Sequence, residues 1–485
     1  MGELSGGSRP ISEVGFGALT DRLGEIVGPA HVLTGTEAQD YASDATFMRS
    51  EPALVVRPAS TAEVAAVVAA CRESGRPLVA RGAGTSLVGG SVPLDEAVVL
   101  SLERFQDLEV DPANAVAVVG PGVITADVDR AAARHGLMYP PDPASVEMCS
   151  VGGNVACNSG GMRCLKYGVT ADYVIGLTVV LADASVLRLG GRVRKRSSGY
   201  RLVQLFVGSE GTLGIVTEVV LKLIPRPPHR AAALVGFHTL EDASKAVSRV
   251  MGAGLLPSAL ELLDRNCLGL VREHLPADFD RTLGAALIVE QDGSDFDSVE
   301  AALMQLVEVM DGADNRVAQS GTERERLWRA RREVPRILSS RPEGRFPEDV
   351  AVPLARIPDM VRRCEEISRS TGLAIYVYGH AGDGNLHPSV MFSASQKHLV
   401  GEAATAIFQA AVELGGTISA EHGLGALKRD HAALEHGPEA ISLMRGIKRL
   451  LDPQGILNPH KLLPEGEVGP GFLEGLPGWE RSSTP

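Results

Sequence analysis

Between residues 52 and 120 the spacing of apolar positions changes repeatedly. "ALVVRP" is a short continuous apolar run, which suits a strand buried on both faces. In "STAEVAAVVAACRESG" the apolar residues recur three and four apart, Ser60 and Glu63 have capping-box spacing, and Gly75 closes the run, so a helix is predicted. "PLVA", "AVVLSL" and "AVAVV" read as further strands, with a helix near 125–135. Prolines crowd "LIPRPPHRA", residues 223–231, and mark a junction. Beyond it the strands "AALVGF" and "AALIVEQ" alternate with helices at 241–252 and 295–310; a charged helix, a hairpin and a helix at 396–414 follow. The expected class is α+β, in two units that meet near residue 226.

Composition narrows the function classes. The 485 residues are 44% hydrophobic and 22% charged, enough to fill more than one core. A formal charge of −13 argues against nucleic acid or an anionic membrane as the main partner, because both demand a basic surface. No run of about 18 apolar residues suggests a transmembrane segment. "MGELSGGSRP" lacks a basic stretch leading into an apolar one, so a cytoplasmic protein is expected, peripheral at a membrane only through a partner. The six cysteines contain no C-x-x-C pair, which excludes a zinc ribbon or an iron-sulfur ligand run. Residues 1–39 form an N-terminal segment, and the Gly/Pro/Glu-rich stretch 464–485 reads as a mobile tail.

Three glycine-rich loops interrupt the first unit. In "RGAGTSLVGGS", residues 81–91, Gly82 and Gly84 follow a strand in G-x-G spacing, but the third glycine of a dinucleotide fingerprint would fall at Leu87. That fold is excluded; a nest of amides for a pyrophosphate is not. "PPDPASVEMCSVGGNVACNSGG", residues 140–161, and "GSEGTLGIVTE", residues 208–218, are the other two. Together they point to an extended phosphate-bearing cofactor.

The second unit carries metal-type chemistry. "GHAGDGNLHP", residues 379–388, sits between the strand-like runs "LAIYVY" and "SVMF". With the hairpin centred between Asp383 and Gly384, His380 and His387 would face each other, their Cβ atoms about 4.5–5.5 Å apart. They form either a chelating pair or a polar cross-strand couple. "SAEHGLG", residues 419–425, offers Glu421 as a third ligand and His422 as a general base, with Gly423 and Gly425 allowing the turn that brings both to one site. In the charged helix, Arg331 shares an inward stripe with Leu327, Ala330 and Val334. Its partner is either a substrate carboxylate or a structural acid.

On these motifs and "LDPQGILNPHKLL" the chain resembles, from about Asp40 to Leu463, the FAD-dependent D-2-hydroxyacid dehydrogenases of the vanillyl-alcohol oxidase and p-cresol methylhydroxylase superfamily. The resemblance implies a p-cresol methylhydroxylase-type FAD-binding domain at 40–226, an α+β substrate-cap domain at 227–430 and a helical return at 431–463. It places FAD on Arg81, Gly82, Ala83, Gly84, Thr85, Ser86 and Gly89 of the first loop. From the second it takes Pro141, Asp142, Ser150, Gly153, Asn154, Asn158, Gly160 and Gly161; Glu210, Ile215 and Asn458 complete the set. It makes His380, His387 and Glu421 the ligands of a divalent metal (zinc, or else manganese or iron), His422 the base and Arg331 the carboxylate clamp. Thr85 and Ser86 occupy a position where covalently flavinylated relatives carry histidine, so noncovalent FAD is expected.

The implied reaction is oxidation of a D-2-hydroxyacid, with electrons passed to a quinone, an electron-transfer flavoprotein or a separate iron-sulfur subunit; a homo-oligomer is compatible with this. Pro335, Pro347 and Ser389 stand where hydroxyglutarate enzymes carry a threonine, a lysine and an asparagine, which favours a monocarboxylic acid of the lactate or glycolate type. Arg201 replaces a family aspartate. The rival readings are a hydroxyglutarate-type enzyme, a non-catalytic flavin subunit of an electron-transfer complex, a flavin-free metal enzyme and a flavin enzyme of ether-lipid synthesis.

Overall fold

The computed structural model describes residues 13–464 apart from 47, 95 and 96; the first twelve residues, and the expected tail beyond residue 464, lie outside it. The continuous apolar runs form a four-stranded sheet in which Leu54–Val56, Val98–Ser101 and Leu78–Arg81 lie parallel, with Val32–Leu33 antiparallel at the edge. Helix Thr61–Ser74 packs Val64, Val67, Val68 and Cys71 against Leu54, Leu78, Val98 and Leu100. Its cap follows the spacing, with Ser60 Oγ accepting from the Glu63 amide and Gly75 at φ 68°. The Glu63 carboxylate, however, accepts from Ala59 rather than Ser60.

A five-stranded antiparallel sheet follows, in the order Leu108–Asp111, Val116–Val119, Ile215–Lys222, Val174–Val180, Val186–Gly190. Its central strand begins at the end of the third glycine-rich loop. After the proline-rich junction comes an eight-stranded sheet, whose order runs Asp314–Val317, His229–Phe237, Ala285–Gly293, Ala259–Asp264, Ala374–His380, Asn385–Phe392, Gly344–Pro347, with Val350–Ala351 also on Asn385–Phe392.

The two-residue period of these strands creates two unlike faces. Leu260, Leu262, Ile375, Val377, Leu386 and Val390 point into a large core with helices Leu240–Gly252, Phe296–Met310, Ile357–Thr371 and Val400–Glu413. The alternate positions Glu261, Tyr378, His380, His387 and Ser389 point the other way, towards helix Gly321–Ser339. The first face is a core; on the second these polar residues form a wall beside another core, in which Leu263 and Ile288 meet Leu327, Trp328 and Val334 of the helix.

The hairpin register differs from the expected one. His380 pairs with Asn385 and Tyr378 with His387, so Ala381–Gly384 form the turn and the histidines are diagonal neighbours on one face. The turn closes through Gly384 at φ 87°, where a Cβ would run into the Val352 carbonyl oxygen; the centre lies one residue nearer the N-terminus, between Gly382 and Asp383. The helix expected at 396–414 starts as a 3-10 turn, Ala394–Leu399, before Val400–Glu413. At the C-terminus, helix Pro438–Leu451 leads to a segment that returns to the first sheet, where Leu457 bridges Leu78 and the Asn458 amide donates to the Leu78 carbonyl at 2.8 Å.

Candidate active site

The polar wall and the glycine-rich loops face each other across one cavity of about 500 Å³. Gly82, Ala83, Gly84, Thr85, Ser86, Gly153, Asn154, Glu210 and Ile215 line one side, and Arg331, His380, His387, Glu421 and His422 the other. The first loop presents backbone to the cavity, and a Cβ on Gly82 would overlap Ser150 Oγ. In this wall a glycine-rich loop with small polar neighbours, where residue 82 has no room for a side chain, lets a pyrophosphate approach the backbone closely.

Other residues assigned to FAD stand behind this wall. The Arg81 guanidinium is turned away to the Ser43 carbonyl at 2.8 Å and to the Tyr41 ring. Gly89 lies over Met48. Ser150 caps helix Val151–Cys157 and Asn158 ends it in a left-handed conformation. Asp142 accepts from Arg163 at 2.5 Å, with Pro141 buried beside it. Gly161 packs on the Asp142 carbonyl, and Gly160 lies against Glu421. Asn458 donates to the Gly90 and Glu210 carbonyls at 3.0 and 2.7 Å. The Glu210 carboxylate accepts from the Leu424 and Gly425 amides at 2.7 and 2.8 Å, so it ties the third loop to the segment bearing Glu421 and His422.

On the opposite side, Gly423 at φ 84° turns the chain so that the adjacent Glu421 and His422 share one site. Glu421 Oε1 lies 3.5 Å from His380 Nε2, 3.4 Å from His387 Nε2 and 3.6 Å from His422 Nε2. Tetrahedral ligation with bonds of about 2.0–2.1 Å separates donor atoms by roughly 3.3–3.4 Å, so each of these three nitrogens is near a ligand-to-ligand spacing from Glu421 Oε1. Glu421 Oε2 is buried without a hydrogen-bond partner. Oε1 thus meets the imidazole nitrogens, and Oε2, on the Gly160 side of the same carboxylate, is left with a buried lone pair that a cation would satisfy.

Two acids that the sequence reading missed support the cluster. Glu261 lies directly across the strand pair from His380. Its Oε1 is 2.8 Å from His380 Nδ1, which leaves Nε2 for the cluster, and its Oε2 accepts from Arg331 Nε at 2.6 Å. Arg331 therefore has the structural partner left open above, while its guanidinium still lines the cavity beside the Tyr378 ring. Asp349 is the second. Its Oδ2 accepts from Ser419 Oγ and from the amides of Ala420, Glu421 and His422 at 2.9–3.0 Å. The donor atoms of Asp349, His387, Glu421 and His422 also lie within 4.8 Å of one another. Asp349 faces the Nδ1 side of both rings, at 3.7 and 3.9 Å. Its Oδ2 is engaged by the loop, whereas its Oδ1 and the two Nδ1 atoms are buried without hydrogen-bond partners. This group, which excludes His380, is therefore a second set of donors for a cation.

Charge follows this layout. Burial opposes the imidazolium of His380, yet Glu261 and Glu421 outweigh it and hold its pKa well above the usual value, so a cation binding at this nitrogen has to displace a proton. Burial and the His380 charge push His387 well below, so it is neutral, the form that ligates metals. Burial works against the Glu421 carboxylate, but the three histidines bring it down to about 2. Glu261 had a sequence signal, a lone carboxylate inside the apolar strand "SALELL"; Asp349, beside Glu348 in the short link between two strands, had a weaker one, an acidic pair leading into the apolar "VAV".

A cavity with backbone-walled glycine loops on one side and a histidine–carboxylate cluster on the other defines a flavin-linked oxidoreductase. Residues 52–190 match the FAD binding domain, and residues 226–462 match the C-terminal domain of FAD linked oxidases. The chain belongs to this family of FAD-linked oxidoreductases. It is 40% identical over 87% of its length to "Glycolate oxidase subunit GlcD" of Bacillus subtilis, covering 91% of that protein. It is 38% identical over 85% of its length to "D-lactate dehydrogenase" of Archaeoglobus fulgidus, covering 92% of it. The fold is that of p-cresol methylhydroxylase, with TM-score 0.78 at 17% identity over 93% of this chain and 97% of that one.

Proposed function

We propose that the protein oxidises a D-2-hydroxyacid to the 2-oxoacid, using noncovalent FAD and a divalent cation at the histidine cluster. The support is the convergence of three imidazole Nε2 atoms on Glu421 Oε1, beside a partnerless Oε2, in the cavity that the glycine-rich loops wall. His380, His387 and Glu421 would hold the cation, zinc or else manganese or iron. When bound, FAD supplies the redox chemistry and the cation a Lewis acid that lowers the pKa of a hydroxyl. His422 directs Nε2 to the same point and accepts the 2-hydroxyl proton. The substrate gives up that proton and, from C2, a hydrogen with its electron pair, which leaves a carbonyl. Arg331, with Nε engaged by Glu261, offers its two terminal nitrogens to the C1 carboxylate.

Electrons leave to an acceptor outside this chain: a quinone, an electron-transfer flavoprotein or an iron-sulfur subunit. Six unpaired cysteines suit a reducing, cytoplasmic setting. Among the described residues no helix is long and apolar enough to cross a membrane.

Anaerobic mixing with D- and L-2-hydroxyacids tests the reading. The D series is expected to bleach the flavin, and dialysis against a chelator to slow bleaching by roughly 10²-fold or more, with recovery on adding back zinc or manganese. Colourless protein, or bleaching indifferent to the chelator, would overturn it. Glu261→Gln is expected to weaken metal retention by roughly 10- to 100-fold, read as metal content after dialysis, because the carboxylate orients the His380 ring.

A further inference from the structure

Four arginines line the cavity: Arg331, Arg332, Arg336 and Arg345. Three have acidic partners. Arg331 pairs with Glu261 at 2.6 Å, Arg332 with Glu325, and Arg336 with Glu333 at 3.4 Å. Among the described residues Arg345 pairs with no carboxylate. All of its hydrogen bonds go to neutral oxygens: Nε to Ser389 Oγ at 3.3 Å, Nη1 to the Pro335 carbonyl at 3.0 Å and Ser339 Oγ at 2.6 Å, and Nη2 to Tyr378 Oη at 2.7 Å. These bonds fix the guanidinium plane and leave one Nη2 hydrogen without a protein acceptor among the described residues. The result is a preordered cation, uncompensated, on the inner wall of the substrate cavity.

We infer, on the hydroxyacid reading of this cavity, that Arg345 determines specificity by receiving a carboxylate-class anion at the far end of the substrate's side chain. Position supports this. Tyr378 pairs with His387 across the hairpin, and Ser389 lies two residues beyond His387 on the same face, roughly 7 Å along the strand. A substrate anchored at the histidine cluster meets Arg345 after a short carbon chain. The three residues that mark this chain off from hydroxyglutarate enzymes gather here. The Pro335 carbonyl and Ser389 Oγ hold the guanidinium, and Pro347 is two residues from Arg345 on the same strand face and also lines the cavity. The donors lost at those positions are replaced by one guanidinium from a different position. The preferred acid is therefore dicarboxylic, which reverses the expectation of a monocarboxylic one.

The test uses the flavin-loaded full chain with D-lactate and D-2-hydroxyglutarate. The wild type is expected to favour the dicarboxylic acid in kcat/KM by roughly tenfold or more, and Arg345→Met to reduce that preference by roughly 10- to 100-fold, mainly through KM, with Arg345→Lys restoring part of it. Glutarate, which cannot react, should raise the melting temperature of the wild type and not of Arg345→Met. Arg345 as a mere brace between strand and helix would lower both substrates' kcat/KM alike, and that outcome overturns the inference. So does a wild type that bleaches with D-lactate yet shows no dicarboxylate preference. Bleaching by no hydroxyacid at all would instead remove the hydroxyacid reading itself, and this inference with it.

Discussion

Glu421→Gln should leave the protein yellow and unreactive towards hydroxyacids. The substitution preserves shape but removes the one charge on which His380, His387 and His422 converge, so three imidazoles would face a neutral amide. Flavin binding is expected to survive, because Glu421 belongs to the wall opposite the glycine-rich loops. Hydroxyacid-driven bleaching should fall by roughly 10³-fold or more, the scale of a lost Lewis acid, and bound divalent metal should become substoichiometric. His422→Asn provides the contrast. It should lower kcat by roughly 10²- to 10⁴-fold, as expected for a general base, while metal stays bound. Full metal content and normal turnover in Glu421→Gln would show that the cluster is an ordinary hydrogen-bonded core.

The two variants separate because the structure assigns the four side chains to different elements. His380 and His387 ride on a hairpin whose register is set by its turn and by the alternation of core and wall residues. Glu421 and His422 ride on a loop without secondary structure of its own, held by carboxylates from both sides, Asp349 and Glu210. Precision on the loop side therefore depends on polar contacts rather than apolar packing, and is the easier to disturb.

What the sequence made legible follows from range. The cap at Ser60, the stripe on the Arg331 helix and the turn glycines around Asp383 are local patterns, and periodicity exposes them within a few residues. Even there the hairpin centre was misplaced, because "GDG" is nearly symmetric and only the left-handed Gly384 decides between two centres. Glu261 and His380 are 119 residues apart in the chain, and Arg345 and Ser389 are 44 apart. Their pairing is settled by strand order, which no local period encodes. The same limit explains Arg81 and Asn458. Each sits in a recognisable loop, but whether a side chain faces the cavity or braces the loop from behind depends on distant carbonyls.

Asp349→Ala is expected to carry the largest stability cost among single substitutions around the site. The carboxylate is fully buried, and its Oδ2 alone satisfies one hydroxyl and three consecutive amides from Ser419 to His422. Alanine strands those donors and leaves Lys428, itself buried, with one fewer negative neighbour, so destabilisation of about 3–5 kcal/mol is expected. The sign of the pH dependence is fixed by the direction of the Asp349 shift. Burial opposes its charge, but His422, Lys428, His387 and the loop amides prevail and hold its pKa well below the usual carboxylate range. A carboxylate depressed on folding gives stability that is complete above its unfolded pKa, about 3.9, and lost as pH falls towards the folded value. The gap in urea midpoint between wild type and Asp349→Ala should therefore persist from about pH 8 down to about pH 5, and close only in stronger acid. Because the Ala420–His422 amides position both Glu421 and His422, metal retention should weaken together with stability, by roughly 10- to 100-fold. A variant as stable as wild type, or a gap that closes near neutral pH, would mean that the loop is held by something other than this carboxylate.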